Sequence, residues 1–187
     1  KTCAFGIPVA EHIDPEKVPA GCDHGHPAEL AQQIAEELTE LTYFMLEVQV
    51  ACVYGGANME KQARRLAEGC QIVVATPGRL MDHYKHHSID LAHVTQVVLD
   101  EADEMLNMGF YKDVRHIIEL MKARKSLSMF SATISREVMD IGWLYQHNAE
   151  EITVQPGRRA SPRSPSTCWR PPAATSCPTW PRSSLAR

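Results

Sequence analysis

Between residues 28 and 154 the chain alternates between two hydrophobic periods. Ala28–Phe44 places Leu30, Ile34, Leu38 and Leu41 at helical spacing with acids on the opposite face, which predicts an amphipathic helix. Val48–Tyr54 is β-branched and aromatic and stops at Gly55-Gly56, as a strand closed by a turn does. Met59–Glu68 returns to helical spacing and closes at Gly69. Short continuous apolar runs at Gln71–Ala75, Thr95–Leu99 and Leu127–Phe130 predict three more strands. Helices are expected at Tyr111–Met121 and Ser135–Tyr145, and a last short strand at Glu151–Val154. Strands apolar on both faces, alternating with amphipathic helices, belong to a parallel sheet covered on both sides. The expected fold class is therefore α/β, doubly wound.

Both ends break this pattern. Lys1-Thr2-Cys3-Ala4-Phe5-Gly6 reads as the inside of a helix whose beginning is missing. Residues 157–187 show no apolar periodicity, and Pro at 162, 165, 171, 172, 178 and 181 excludes a helix or a ladder, so disorder is expected there. That segment holds six Arg and no acid, while the preceding residues hold the other 13 of the 19 basic residues and all 23 acids. The net charge of −4 thus divides into an acidic body and a basic tail.

Composition narrows the class further. A chain of 187 residues, 44% apolar and 22% charged, is balanced like one globular domain. No run approaches the length of apolar chain a membrane span needs, and no leader pattern opens the chain, so no membrane partner is expected. Six scattered cysteines without C-x-x-C spacing favour a cytoplasmic location over a disulfide framework. Nine histidines raise the question of a metal, but His83, His86 and His87 lie in a polar stretch without an acidic or Cys partner. Solvated surface histidines are the expectation.

Open α/β sheets bind ligands at the carboxyl ends of their strands. Three polar clusters fall there: Thr76-Pro77-Gly78-Arg79, Asp100-Glu101-Ala102-Asp103 and Ser131-Ala132-Thr133. Singly, each is as well explained by a helix start, an N-cap or a turn. An apolar strand running into Asp-Glu is also how a nucleotidase presents one carboxylate to Mg²⁺ and the next to the attacking water.

Taken together, these clusters resemble the DEAD-box ATP-dependent RNA helicase family of bacterial type. Asp100–Asp103 matches its naming motif, Ser131–Thr133 its Ser-Ala-Thr motif, Thr76–Arg79 an RNA-contacting motif and Gly55-Gly56 its double-glycine turn. The likeness covers about residues 1–155 and implies the first of two RecA-like P-loop NTPase domains, incomplete at its N-terminus, followed by the tail at 156–187. It implies ATP and Mg²⁺ as cofactors and sequence-independent RNA as partner, beside a second RecA-like domain. By the same resemblance Asp100 and Thr2 would hold Mg²⁺, Lys1 the nucleotide phosphates, and Glu101 the attacking water. Asp103 with Ser131 and Thr133 would couple this site to RNA. Gly55, Gly56, Thr76, Gly78 and Arg79 would meet RNA phosphates.

Several parts of the family pattern are not in this sequence. Lys1-Thr2 resembles the end of the phosphate loop, without the glycine-rich nest that precedes it. The adenine-reading motif and the second domain with its arginine fingers are not found either. Where the family has an apolar strand ending in Pro-Thr-Arg-Glu-Leu-Ala, this chain has Gly21-Cys22-Asp23-His24-Gly25-His26-Pro27 before Ala28-Glu29-Leu30-Ala31. A central buried strand at Gly21–Pro27 is not expected, and the loss of one would leave helix faces uncovered. Codons permitted for Gly21–Pro27, read one base later, can encode an apolar strand ending in Thr-Arg. Those for Thr167–Ser184 can likewise encode an amphipathic lead into a second domain, so frame shifts would account for both departures. The expected function is ATP-dependent RNA unwinding by the complete enzyme, with this chain inactive by itself. The alternatives are a non-catalytic RNA-binding module acting through Thr76–Arg79 or the basic tail, and a partly folded product with a nonspecific arm.

Overall fold

The computed structural model describes residues 1–13, the backbone of 20–24, and 28–154. The expectation of a disordered tail therefore lies outside the described residues. Five strands form one parallel sheet in the order β2-β3-β1-β4-β5: β1 Ala20–His24, β2 Val50–Val53, β3 Ile72–Ala75, β4 Gln96–Asp100 and β5 Ser126–Met129. Among the described residues seven helices accompany them: α1 Thr2–Glu11, α2 Ala28–Leu41, α3 Met59–Ala67, α4 Pro77–Lys85, α5 Ala102–Met105, α6 Tyr111–Leu120 and α7 Arg136–Tyr145. One wide turn of helix, Leu106–Phe110, joins α5 to α6 and breaks at Gly109, whose φ is 91°.

The two-sided burial predicted for the strands is present in β2, β3 and β4, whereas β5 is exposed at Ser126 and Ser128 and half-buried at Leu127 and Met129. Val73 and Ala75 of β3 face a core shared with Leu80 of α4 and Ile117 of α6, whereas Ile72 and Val74 face Phe5 of α1 and Leu38 of α2. Burying one such side chain stabilises the fold by about 1.5–3 kcal/mol, which explains why both helical layers persist on an acidic body.

Two expectations are corrected. The segment judged unfit for a central strand forms one, because β1 runs between β3 and β4 with Gly21 opposite both Val73 and Val97. Ladder bonds need only backbone groups, and no proline interrupts Ala20–His24. Placement between two strongly apolar strands overrides the poor intrinsic propensity of Gly, Asp and His. The expected strand at Glu151–Val154 does not form. Ile152 and Val154 are 82% and 86% exposed, so apolar alternation by itself does not make a strand there.

The chain divides into two units, Lys1–Ala149 and Glu150–Arg187. In the second, residues 150–154 are described and carry neither helix nor strand. Among the described residues no helix is long and apolar enough to cross a membrane.

Candidate functional site at the carboxyl ends of the strands

The acidic cluster begins where β4 ends. Asp100, 4% exposed, is the last residue of that strand. Burial raises its pKa, opposed by the Glu101 N–H donated to Oδ1 at 2.9 Å and by the charge of Lys1. Glu101 turns the chain from strand to helix in the left-handed region, φ 48° and ψ 44°. For a residue with a Cβ that conformation costs about 1–2 kcal/mol. The corner aims the Glu101 carboxylate at Lys1, whose Nζ donates to Oε1 at 2.6 Å. That hydrogen bond first, and then the charges of Glu101, Asp100 and Asp103, raise the Lys1 pKa. One ammonium and three carboxylates therefore lie near the end of β4, an arrangement able to hold a phosphate through the cation.

One helical turn further on, Asp103 is 5% exposed. Its Oδ2 accepts both the Thr133 N–H at 2.9 Å and the Thr133 hydroxyl at 2.6 Å. Burial pushes its pKa up, but the hydroxyl and N–H of Thr133, hydrogen-bonded to the carboxylate, outweigh it and hold the carboxyl at about 2. The Ser131 hydroxyl donates to the Thr133 carbonyl at 2.6 Å, so the loop after β5 is bonded to itself as well as to α5. Asp103 Oδ1, buried and without a partner among the described residues, keeps one acceptor unspent.

A second polar region lies at the ends of β2 and β3. Gly55 and Gly56 are exposed, and a methyl group on either would meet nothing within 4 Å. Gly56 has a φ of 87°, Gly55 no such requirement. We therefore expect Gly56→Ala to lower stability by about 1 kcal/mol and Gly55→Ala to leave it unchanged, read by thermal unfolding. Thr76 caps α4 with Pro77 at the first helical position, Gly78 is exposed, and Arg79 is half-buried. The Arg79 Nη1 donates to the Ala57 carbonyl at 3.0 Å and to Gln62 Oε1 at 3.3 Å.

Of the residues singled out in the sequence, the fold brings Lys1, Asp100 and Glu101 together and joins Asp103 to Ser131 and Thr133. Thr2 is instead hydrogen-bonded through its side chain to Glu37 of α2, which lowers the Glu37 pKa. A cavity of about 460 Å³ lies elsewhere, lined by Phe5, Val9, Gln96, Val98, Ser126 and Phe130 among others, and contains none of the acidic cluster. No metal-ligating cluster occurs among the described residues.

Sequence reasoning missed Gln62 and misjudged His83. Expected on the surface, His83 is 0% exposed, and Gln62 is 7% exposed, while His86 and His87 are exposed. The signal was helical phase: Gln62 lies four residues before the buried Leu66, and His83 three after the buried Leu80, so both occupy inward positions.

Comparison with known proteins agrees with this geometry. The family model described as DEAD/DEAH box helicase matches residues 1–141. The ATP-dependent RNA helicase DeaD of Escherichia coli is 38% identical over 170 residues, 90% of this chain and 27% of that protein. The ATP-dependent RNA helicase CshA of Listeria monocytogenes is 42% identical over 156 residues, 83% of this chain and 30% of that protein. Among solved structures, a hypothetical ATP-dependent RNA helicase from Sulfolobus tokodaii superposes with a TM-score of 0.72 at 35% identity, covering 80% of this chain and 43% of that one. A DEAD box protein from Methanococcus jannaschii gives 0.69 at 36% identity, covering 77% and 39%. The chain thus spans under a third of the curated relatives it matches and adopts the RecA-like fold of its structural neighbours. With the acidic cluster, the Ser-Ala-Thr loop and the double-glycine turn all at the carboxyl ends of one parallel sheet, the chain belongs to the DEAD/DEAH box helicase family.

Proposed function

We propose that residues 1–149 form the first RecA-like body of an ATP-dependent RNA helicase, which couples ATP binding and hydrolysis to RNA unwinding only with a second such domain. The observation that carries this reading is the convergence of Lys1, Asp100 and Glu101 at one strand end, with Asp103 bonded to the loop after β5. In this reading Lys1 binds nucleotide phosphate after leaving Glu101. The carboxylate of Asp100 and the hydroxyl of Thr2 fit a hard, oxygen-ligated Mg²⁺, Thr2 only after it releases Glu37. The ion, when bound, neutralises charge on the transferred phosphoryl group. Glu101 orients or deprotonates the attacking water. Asp103 with Ser131 and Thr133 passes the state of this site to the RNA-bound surface. Gly55, Gly56, Thr76, Gly78 and Arg79 take RNA phosphates without reading bases.

Tested by itself, the 187-residue polypeptide is expected to show no RNA-stimulated ATP hydrolysis. An arginine finger alone contributes about 10³–10⁵ to rate in related nucleotidases. Residues 1–149 substituted for the matching segment of E. coli DeaD, which supplies the rest of that protein, are expected to restore RNA-stimulated hydrolysis. A folded chimera that binds ATP and RNA yet never turns over would overturn the proposal.

The second reading is RNA binding without turnover, through Thr76–Arg79 or the basic tail. If the tail carries the affinity, removing residues 157–187 is expected to abolish binding and its steep salt dependence. If the double-glycine and Thr76–Arg79 turns carry it, that deletion leaves most of the affinity in place, as measured by anisotropy of a labelled oligoribonucleotide across a salt series.

A further inference from the structure

Tyr54 and Ala57 bracket the double-glycine turn, and both of their carbonyls are held from within the protein. Gln62 Nε2 donates to the Tyr54 carbonyl at 3.1 Å, and Arg79 Nη1 donates to the Ala57 carbonyl at 3.0 Å. The two restraints meet on a single side chain, because Gln62 Oε1 accepts from Arg79 Nη1 at 3.3 Å and pairs with His83 Nε2 at 3.1 Å. An amide meets both demands at once, its nitrogen donating to one carbonyl while its oxygen accepts from two donors.

This arrangement fixes the state of His83. Its Nε2 must carry the proton to face Gln62 Oε1, which leaves Nδ1 as a buried acceptor without a partner among the described residues. Protonating Nδ1 would bury an unpaired N–H near a guanidinium. Burial first, and then the Arg79 and His86 charges, hold the His83 pKa below its ordinary value, with Asp82 opposing them. His83 is therefore a neutral, fixed donor that keeps the Gln62 amide from flipping.

We propose that Gln62 is the positioning residue of the RNA surface, clamping the double-glycine turn of β2 to the Thr76–Arg79 turn of β3 so that both meet one RNA strand at a fixed spacing. The chemistry suits an anion: two backbone carbonyls that would repel phosphate are turned inward, and the guanidinium is seated by one amino nitrogen with the rest of its fork uncommitted to Gln62. The proposal rests on the reading of these turns as the RNA-contacting elements, and its test separates the two.

Binding of a labelled single-stranded oligouridylate by the full 187-residue chain is measured by anisotropy, at a temperature where circular dichroism shows every variant folded. Gln62→Met is expected to weaken binding about tenfold, and Arg79→Lys to weaken it less on top of Gln62→Met than in the parent, since one of the two acceptors that seat Nη1 is then already gone. Gln62→Glu keeps the acceptor for Arg79 and His83 but loses the donor to Tyr54, so about a threefold loss is expected. Nitrogen NMR of the His83 ring should show the Nε2–H form in the parent chain and lose that signature in Gln62→Met, which a general loss of stability in a folded variant would not produce. Affinity within twofold of the parent in Gln62→Met, with Thr76→Val clearly weakened, overturns the inference and leaves the RNA surface standing. If Thr76→Val and Gly55→Ala also bind normally, the reading of the RNA surface fails and the inference with it.

Discussion

Glu101→Gln in the chimera that carries residues 1–149 is expected to lower RNA-stimulated ATP hydrolysis by about a hundred- to ten-thousandfold while leaving the protein folded. The geometry supports both halves of that statement. Glu101 sits at the strand end beside the buried Asp100, and its partner is a single lysine that is 52% exposed. An ion pair open to water contributes about 0–1 kcal/mol, so an uncharged isostere removes the proposed base without unseating the corner. The backbone supplies a control. Because Glu101 lies in the left-handed region, Glu101→Gly relieves strain and is expected to unfold at the same temperature or slightly higher, although it is equally inactive. A residue whose removal costs activity and not stability is one held in place for chemistry. Steady-state hydrolysis and thermal unfolding of the two variants check this together; turnover in Glu101→Gln within tenfold of the parent chimera would remove Glu101 from the mechanism.

How much of this was legible in advance depended on whether side chains or backbone decide the matter. The strands Ile72–Ala75 and Gln96–Asp100 announce themselves because Ile72, Val73, Val74, Val97, Val98 and Leu99 are consecutive branched apolar residues buried on two faces. Their ends then locate Thr76 and Asp100 by counting. Ala20–His24 was misjudged because its place in the sheet is set by its neighbours and by backbone groups, which composition does not report. At Glu151–Val154 the reverse holds, since the alternation is present and the strand is not. The Gln62 clamp escaped for a different reason. Its members come from α3, α4 and the turn between β2 and α3, and only the folded helices show that a Gln and a His at inward positions meet an Arg read as free for RNA. Asp103 and Thr133, separated by 30 residues, were linked in advance only through the resemblance to a family.

That Asp103–Thr133 link yields the other large effect. The Asp103 carboxyl is held at about 2 in the folded protein against 3.8 for an ordinary Asp. A folded pKa below the unfolded one means that the unfolded chain binds the proton more readily. The stabilisation is therefore complete above about pH 4 and is lost as pH falls through about 2. A shift of this size corresponds to roughly 2 kcal/mol at neutral pH. Asp103→Asn, which keeps the shape and one acceptor, is expected to be less stable than the parent by roughly that amount at pH 7 in urea unfolding, with the gap closing toward acid. Thr133→Val removes the 2.6 Å hydroxyl bond and keeps the N–H bond, so it should cost about 1 kcal/mol. In the double variant the two losses should fall short of their sum, because both act on the same Oδ2. A gap between parent and Asp103→Asn that stays constant from pH 7 to acid would show that burial and shape, rather than the charge, bind α5 to the loop after β5. In the chimera the same loop carries the coupling assigned to Ser131 and Thr133, so Thr133→Val should reduce the stimulation of hydrolysis by RNA more than the rate without RNA. That outcome follows only if the charged Asp103 carboxylate, and not the apolar packing around it, is what ties the nucleotide edge of β4 to the loop after β5.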